Sequence, residues 1–173
     1  TWGENVYVKI PITNTKGIPT YSLIKKLSDK GVKVNVTAIM TLEQVRDVVF
    51  SLNQNVPSYV SVFAGRIADT GVDPVPLMSA AVQITSMNSK AEVIWASPRE
   101  LLNIFQANDV GCQIITATTD LLNKLNLVGR NLKEYSLDTV NMFYEDAKKS
   151  GSYSRSCFLC DSASGLSRQR DVS

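Results

Sequence analysis

The sequence contains no histidine, and this absence excludes several kinds of catalytic site. Ser-His-Asp and Cys-His catalysis both use an imidazole as the general base, and many zinc sites use imidazole ligands. An active site in this chain would therefore have to use lysine, carboxylates, hydroxyls or amides.

Cysteine is also scarce, and the chain has only Cys112, Cys157 and Cys160. They are too few for a disulfide framework, which fits a reducing compartment, and we predict a cytoplasmic location. Cys157 and Cys160 form a CxxC pair, but a structural zinc site needs about four ligands and the chain offers no second pair. We therefore predict no metal site.

The sequence also has neither a large excess of one charge nor a long apolar run. The 18 basic and 16 acidic residues are mixed along most of the chain, and the net charge is +2. This balance indicates neither a nucleic-acid groove nor binding to an anionic membrane. No apolar run approaches the roughly 18 residues of a transmembrane helix, and the residues from Thr1 onward do not have the architecture of a signal peptide.

The chain does contain alternating strand and helix patterns. Its 173 residues fit one globular domain. Apolar, β-branched runs predict strands at Val6 to Ile10, Val32 to Ile39, Tyr59 to Ala64, Glu92 to Ser97 and Gln113 to Thr118. Their alternation with helical patterns predicts a parallel α/β sheet, either doubly wound or part of a (β/α)8 barrel.

Two capping patterns mark predicted helix starts. Thr41 and Gln44 have the spacing of a capping box. Ser97, Pro98 and Glu100 have the pattern of a second helix start, with proline at the first helical position.

The last part of the chain divides into a helix and a tail. An amphipathic helix is predicted over roughly Ser136 to Ser150, with Leu137, Val140, Phe143 and Ala147 on its apolar face. After Gly151 the sequence is serine-rich and has no apolar periodicity. We therefore predict a folded domain over residues 1–151 and a disordered tail over residues 152–173.

Lys9 is unusual because it lies inside the apolar run from Val6 to Pro11. The run predicts a buried parallel strand in which Val8 and Ile10 face one way and Lys9 faces the other. Burial lowers the pKa of a lysine, and an amine with a pKa of about 7 to 8 can attack a carbonyl and form a Schiff base. The alternative is a lysine at a strand end whose ammonium group reaches water.

Other polar residues gather where the predicted strands end, which is where the active sites of parallel α/β proteins lie. These residues are Asn35, Thr37, Ser61, Arg66, Ser97 and Arg99. Residues two apart share a strand face, so Asn35 and Thr37 point the same way. A predicted helix N-terminus beside Ser97 and Arg99 favours a phosphate. The alternatives are a capping role for Ser97 and a solvated loop position for Arg66.

Four ordered motifs carry a family resemblance. The stretch NVYVKIPIT with Gly17 after it, then VNVTAI, SVFAGRIADTG and WASPR, resembles the transaldolase family in order and separation. The segment LVGRNLKEYSLDTVNMFYEDAKKSG resembles the closing helix of small bacterial-type members, so the match runs from about Asn5 to Gly151. The resemblance implies a (β/α)8 TIM barrel of the class I aldolase type.

The resemblance also implies an activity, namely transfer of a dihydroxyacetone unit between sugar phosphates in the pentose phosphate pathway. Lys9 would form the Schiff base with the ketose. Asn35 would bind substrate hydroxyls, Thr37 would hold the catalytic water and Ser61 would contact the three-carbon unit.

The remaining implied properties concern phosphate, cofactor and assembly. The implied phosphate site consists of Arg66, Ser97 and Arg99. No cofactor is implied, because the protonated imine is itself the electron sink. The implied partners are small sugar phosphates, and the full-length protein is expected to be a homo-oligomer.

The start of the chain departs from the family pattern. The family's lysine lies on the fourth barrel strand, whereas Lys9 lies on the first recognisable strand, so the chain resembles strands four to eight of an incomplete barrel. The aspartate, the TTNP-like motif and the acid/base glutamate of the first three family strands have no counterpart. Two alternatives remain, namely a lyase like fructose-6-phosphate aldolase and an inactive phosphosugar-binding fragment. Phe63 favours a transaldolase over the lyase, because fructose-6-phosphate aldolases typically have a tyrosine at this position.

Overall fold

A computed structural model describes Gly3 and residues 5–150. Each predicted apolar run forms a strand close to its expected position. The strands are β1 (Val8–Pro11), β2 (Val34–Ile39), β3 (Ser58–Val62), β4 (Ala91–Trp95) and β5 (Ile114–Ile115). The helices are α1 (Tyr21–Ser28), α2 (Leu42–Ser51), α3 (Ala64–Ala68), α4 (Pro74–Thr85), α5 (Leu102–Asp109), α6 (Thr119–Leu122) and α7 (Leu132–Lys149), with a 3-10 turn at Asn123–Leu127.

The strands form one parallel sheet in the order β1-β2-β3-β4-β5. Each strand pairs with the strand that follows it in the chain. A doubly wound sheet reverses its strand order at a switch point, and this sheet has no reversal. The fold is therefore α/β, and its sheet corresponds to part of a (β/α)8 TIM barrel.

One face of the sheet is packed against helices. Val36, Val60 and Val93 lie in register on neighbouring strands and are fully buried. The helical residues in the same core are Ile24, Val45, Val48, Val49, Ala64, Ile67, Met78, Ala81 and Ala107. Because side chains alternate along a strand, Lys9 and Asn35 lie on the opposite face, which carries the predicted site.

The capping box at the start of α2 is confirmed. The Gln44 backbone N–H donates to the Thr41 hydroxyl over 3.2 Å, and the Gln44 side-chain oxygen accepts from the Thr41 N–H over 3.2 Å. We expect Thr41→Ala to lower the free energy of unfolding by about 1 kcal/mol, because an N–H of the first turn loses its acceptor. Urea unfolding followed by circular dichroism measures this cost. Thr41→Ser keeps the acceptor and is the control, so an equal loss in both variants would contradict the expectation.

The second predicted helix start is wrong. Helix α5 begins only at Leu102, and Ser97 lies in a loop with φ of +57°. The physical reason is that the Asn103 side-chain oxygen accepts hydrogen bonds from the N–H groups of Arg99 and Glu100, over 2.8 Å and 3.0 Å. These bonds stabilise a loop where the sequence pattern predicts the first helical turn.

The chain divides into two compact units, one up to Asn126 and one from Leu127. In the second unit α7 begins at Leu132, before the predicted start at Ser136, because the Asn131 side chain caps it by accepting from the Lys133 N–H over 2.9 Å. Among the described helices, none is both long and apolar enough to cross a membrane. The predicted tail and its CxxC pair lie outside the described residues, so the boundary near residue 151 stays a prediction.

Candidate active site

Lys9 lies at one edge of the sheet. It pairs in register with Asn35, which pairs with Tyr59, and Tyr59 pairs with Glu92. The prediction that Lys9 is buried is wrong, since its side chain is exposed. The reason is the position of β1 at the edge of the sheet, where it pairs with β2 and with no other described strand.

Asn35 and Ser61 form a bonded pair next to Lys9. The Ser61 hydroxyl donates to the Asn35 side-chain oxygen over 2.6 Å. Ser61 is buried, while Asn35 is half-buried and its backbone is the register partner of Lys9. The bond fixes which way the Asn35 amide points and leaves the amide N–H groups available to another acceptor. Two of the predicted site residues are thus held together beside the lysine.

Thr37 lies on the same strand face as Asn35, opposite Pro11 of β1. Its hydroxyl is buried and has no hydrogen-bond partner among the described residues. An unbonded buried hydroxyl costs about 1 to 3 kcal/mol, so a polar group that bonds to it is stabilised there. A substrate oxygen or a water molecule is the kind of hydrogen-bond partner that the Thr37 hydroxyl lacks among the described residues.

The backbone is strained at two strand ends of the predicted site. Ala38 has φ of +63° and Ser97 has φ of +57°, a region that non-glycine residues rarely adopt. At Ala38 the pairing of β2 with β3 also shifts its register. Ala38 lies in the carboxyl half of β2, next to Thr37, and Ser97 follows β4 and is itself a predicted site residue. No sequence pattern indicated this strain, because alanine and serine carry no signal for a left-handed backbone.

Gly65 brings the ends of β3 and β4 together. A Cβ atom at Gly65 would lie 1.5 Å from the Ser97 carbonyl oxygen, and the Gly65 N–H donates to the Ala96 carbonyl over 3.3 Å. Helix α3, which carries Arg66, therefore lies directly against the loop that carries Ser97 and Arg99. The three residues predicted to bind phosphate therefore follow the carboxyl ends of β3 and β4, where the polar residues at strand ends are predicted to gather.

Asp69 joins this group and was missed by the sequence reasoning. The Arg99 guanidinium donates to both oxygens of Asp69, from Nε over 3.2 Å and from Nη2 over 2.5 Å. Arg66 is exposed and has no ion pair or side-chain hydrogen bond to another described residue. The available signal was that Asp69 follows Arg66 by one turn in the same motif.

Two tyrosines occupy the amino-terminal end of the same face. The rings of Tyr7 and Tyr59 are stacked, with centroids 4.1 Å apart and planes 19° apart. The pKa of Tyr7 is raised to about 12, mainly by desolvation and to a lesser degree by a hydrogen bond with Tyr59. The Tyr7 phenol is therefore protonated at neutral pH, which excludes it as a base.

Glu92 is the one carboxylate on the described strands. Its backbone lies three strands from Lys9 along the same row. The pKa of Tyr7, which is raised mainly by desolvation, is also raised by the Glu92 carboxylate. The register partner of Lys9 itself is Asn35 and not a carboxylate.

Comparison with known proteins gives a consistent result. The transaldolase/fructose-6-phosphate aldolase family model matches residues 1–154. A probable transaldolase of Methanococcus maripaludis strain C7 is 36% identical over 129 residues, which cover 70% of this chain and 54% of that protein. A probable transaldolase of Clostridioides difficile strain 630 is 31% identical over 145 residues, covering 83% and 62%. The chain thus spans between about half and three-fifths of the length of these relatives.

Proposed function

Because the chain belongs to the transaldolase/fructose-6-phosphate aldolase family, we propose that it is a transaldolase that transfers dihydroxyacetone between sugar phosphates through a Schiff base on Lys9. The observation that supports this most is the row formed by Lys9 and Asn35, with the Ser61 hydroxyl bonded to Asn35. An amine, an oriented amide and a hydroxyl on one strand face suit a polyhydroxylated ketone. The proposed setting is the pentose phosphate pathway in the cytoplasm.

The proposed reaction begins when the Lys9 amine adds to the ketose carbonyl and water leaves, which forms an iminium. The bond between the carbon next to the iminium and the following hydroxyl-bearing carbon then breaks. The hydroxyl on that following carbon loses its proton to water and becomes the aldehyde of the departing aldose phosphate. The electron pair moves into the iminium, leaving an enamine of dihydroxyacetone on Lys9. The enamine attacks the aldehyde of an acceptor aldose phosphate, and hydrolysis of the new iminium restores the free amine.

Asn35, Ser61 and Thr37 suit the polar end of this intermediate. The free N–H groups of Asn35 donate to the hydroxyls of the three-carbon unit, and Ser61 fixes the orientation of the amide. In this proposal the Thr37 hydroxyl, which has no partner among the described residues, bonds to the water released and consumed at the iminium. Arg66 and Arg99 suit the phosphate end of the substrate, because guanidinium groups bond to phosphate oxygens in pairs.

A second candidate function is phosphosugar binding without turnover. It is favoured by the exposure of Lys9 and by its register pairing, since Lys9 lies beside Asn35 and not beside a carboxylate that could act as acid or base. Trapping separates the two functions. The chain is incubated with fructose 6-phosphate and sodium borohydride, and mass spectrometry of the peptide that contains Lys9 shows either a reduced three-carbon adduct or none. The adduct supports the transaldolase, and its absence at saturating ketose contradicts it.

The phosphate site gives a second expected result. Arg66→Ala should weaken the binding of fructose 6-phosphate by roughly tenfold or more, because a charge-assisted hydrogen bond contributes about 1.5 to 3 kcal/mol. Isothermal titration calorimetry measures the affinity, and unphosphorylated fructose should show no such difference. Arg46→Ala is the matched control, since Arg46 is also an exposed arginine but pairs with Asp47 on α2. Equal losses in both variants would contradict a specific role for Arg66.

A further inference from the structure

The two arginines at the ends of β3 and β4 are held very differently. Both arginines are exposed, but Arg66 has no side-chain partner among the described residues, whereas both Asp69 oxygens accept from Arg99. A long arginine side chain loses rotamer freedom when it binds an anion, and prior ordering removes part of that loss. The pairing with Asp69 therefore has consequences for anything that Arg99 binds.

The pairing uses one edge of the Arg99 guanidinium. Of its about five N–H donors, Nε and one hydrogen of Nη2 engage Asp69, so the Nη1 amino group and the second Nη2 hydrogen stay available. These remaining donors form a fork on the side away from Asp69. A fork of this kind matches two oxygens of a phosphate.

Asp69 is well suited to anchor this fork. Its own N–H donates to the Gly65 carbonyl over 3.0 Å at the end of α3. Gly65 in turn lies against the Ser97 carbonyl, where it leaves no space for a Cβ atom. The carboxylate is thus attached to the same backbone contact that positions the loop of Arg99.

We propose that Asp69 is a positioning residue for phosphate binding, which orients the Arg99 guanidinium toward the phosphate group of a phosphomonoester substrate. This inference rests on the phosphosugar binding proposed above. The change in anion affinity when Asp69 is removed has a sign that distinguishes this role from a purely electrostatic one. If Asp69 acted only through its negative charge, its removal would strengthen the binding of an anion. If Asp69 orders Arg99, its removal weakens that binding although a repulsive charge is gone.

The test measures the affinity of the chain for inorganic phosphate and for fructose 6-phosphate. We expect Asp69→Ala to weaken both by roughly three- to tenfold, because Arg99 must then be ordered by the ligand itself. Asp69→Glu keeps the charge but moves it by one methylene, and it should also weaken binding, by less. Asp47→Ala is the matched control, since Asp47 also accepts from Nε and Nη2 of an exposed arginine, Arg46 on α2, although through a single oxygen.

A second readout does not depend on ligand. The Nε–H of Arg99 should exchange more rapidly with solvent in Asp69→Ala than in the unmodified chain, which nuclear magnetic resonance of the arginine side chains detects. Unchanged exchange, or phosphate affinity that is unchanged or higher in Asp69→Ala, would overturn the inference. The Arg99→Ala variant separates the role of Asp69 from the existence of the phosphate site. If Arg99→Ala loses affinity while Asp69→Ala does not, only the role of Asp69 fails, whereas equal affinity of Arg99→Ala and the unmodified chain rejects the phosphate site and the positioning role together.

Discussion

Lys9→Met is expected to abolish the borohydride-trapped adduct without unfolding the chain. Methionine keeps an unbranched apolar side chain but has no nucleophilic nitrogen, so neither carbinolamine nor iminium can form at this position. The Lys9 side chain is exposed, and its replacement removes no buried contact. We therefore expect the free energy of unfolding to change by no more than about 0.5 kcal/mol. Mass spectrometry of the Lys9 peptide and urea unfolding measure the two effects.

Two controls separate the nucleophile from the charge. Lys9→Arg keeps a positive charge, but a guanidinium does not lose its proton in proteins, so this variant should also fail to form the adduct. Lys90→Met removes an exposed lysine just before β4 and should leave the adduct intact. A three-carbon adduct that persists in Lys9→Met would assign the Schiff base to another lysine and reject the proposed function.

The strands could be predicted because their signals are local. Each buried strand is a short β-branched run, and the capping box of α2 needs only Thr41 and Gln44 three residues apart. The strand order also followed, because consecutive strand-helix units with right-handed crossovers leave few topologies. The resemblance then distinguished the barrel from the doubly wound sheet, and the observed order agrees with it.

The predictions that were wrong concern properties that depend on neighbours in space, and a local sequence pattern does not specify those neighbours. The burial of Lys9 was inferred from flanking apolar residues, but it depends on which face of the strand is covered. Ile10 on the helix-covered face of β1 is buried, whereas Lys9 lies on the other face of a strand that pairs, among the described strands, only with β2. The helix start at Ser97 was inferred from spacing, but Asn103 competes for the same N–H groups. Asp69 could not be assigned because its partner Arg99 lies 30 residues further along the chain.

The sequence could predict that the candidate residues lie near one another, but not which of them bond to each other. Polar residues at strand ends identified Asn35, Ser61 and Arg66, because parallel strands bring their carboxyl ends to one sheet edge. Which of them bond to one another depends on register. Asn35 lies opposite Tyr59, so its side chain reaches Ser61 diagonally, two residues further along β3. Register across strands is a tertiary property, and the local pattern of a single sequence does not specify it.

Gly65→Ala is expected to have the largest effect on stability. The new Cβ would lie 1.5 Å from the Ser97 carbonyl oxygen and 2.6 Å from its carbonyl carbon, and both are backbone atoms that no side-chain rotation moves away. Either α3 or the loop of Ser97 has to shift, and we expect a loss of about 3 kcal/mol or more in the free energy of unfolding. The same shift would separate Arg66 from Arg99, so phosphate affinity should fall even in the molecules that remain folded.

Gly71→Ala is the matched control for this substitution. Gly71 has φ of +82° and open space around its Cβ position, so alanine there meets only the backbone strain of the left-handed region, about 1 to 2 kcal/mol. Urea unfolding of both variants, with phosphate titration at low urea, distinguishes the two causes. A cost for Gly65→Ala no greater than that for Gly71→Ala would mean that the β3 and β4 ends separate easily. The close contact at Gly65 would then not be what holds the phosphate-binding residues together.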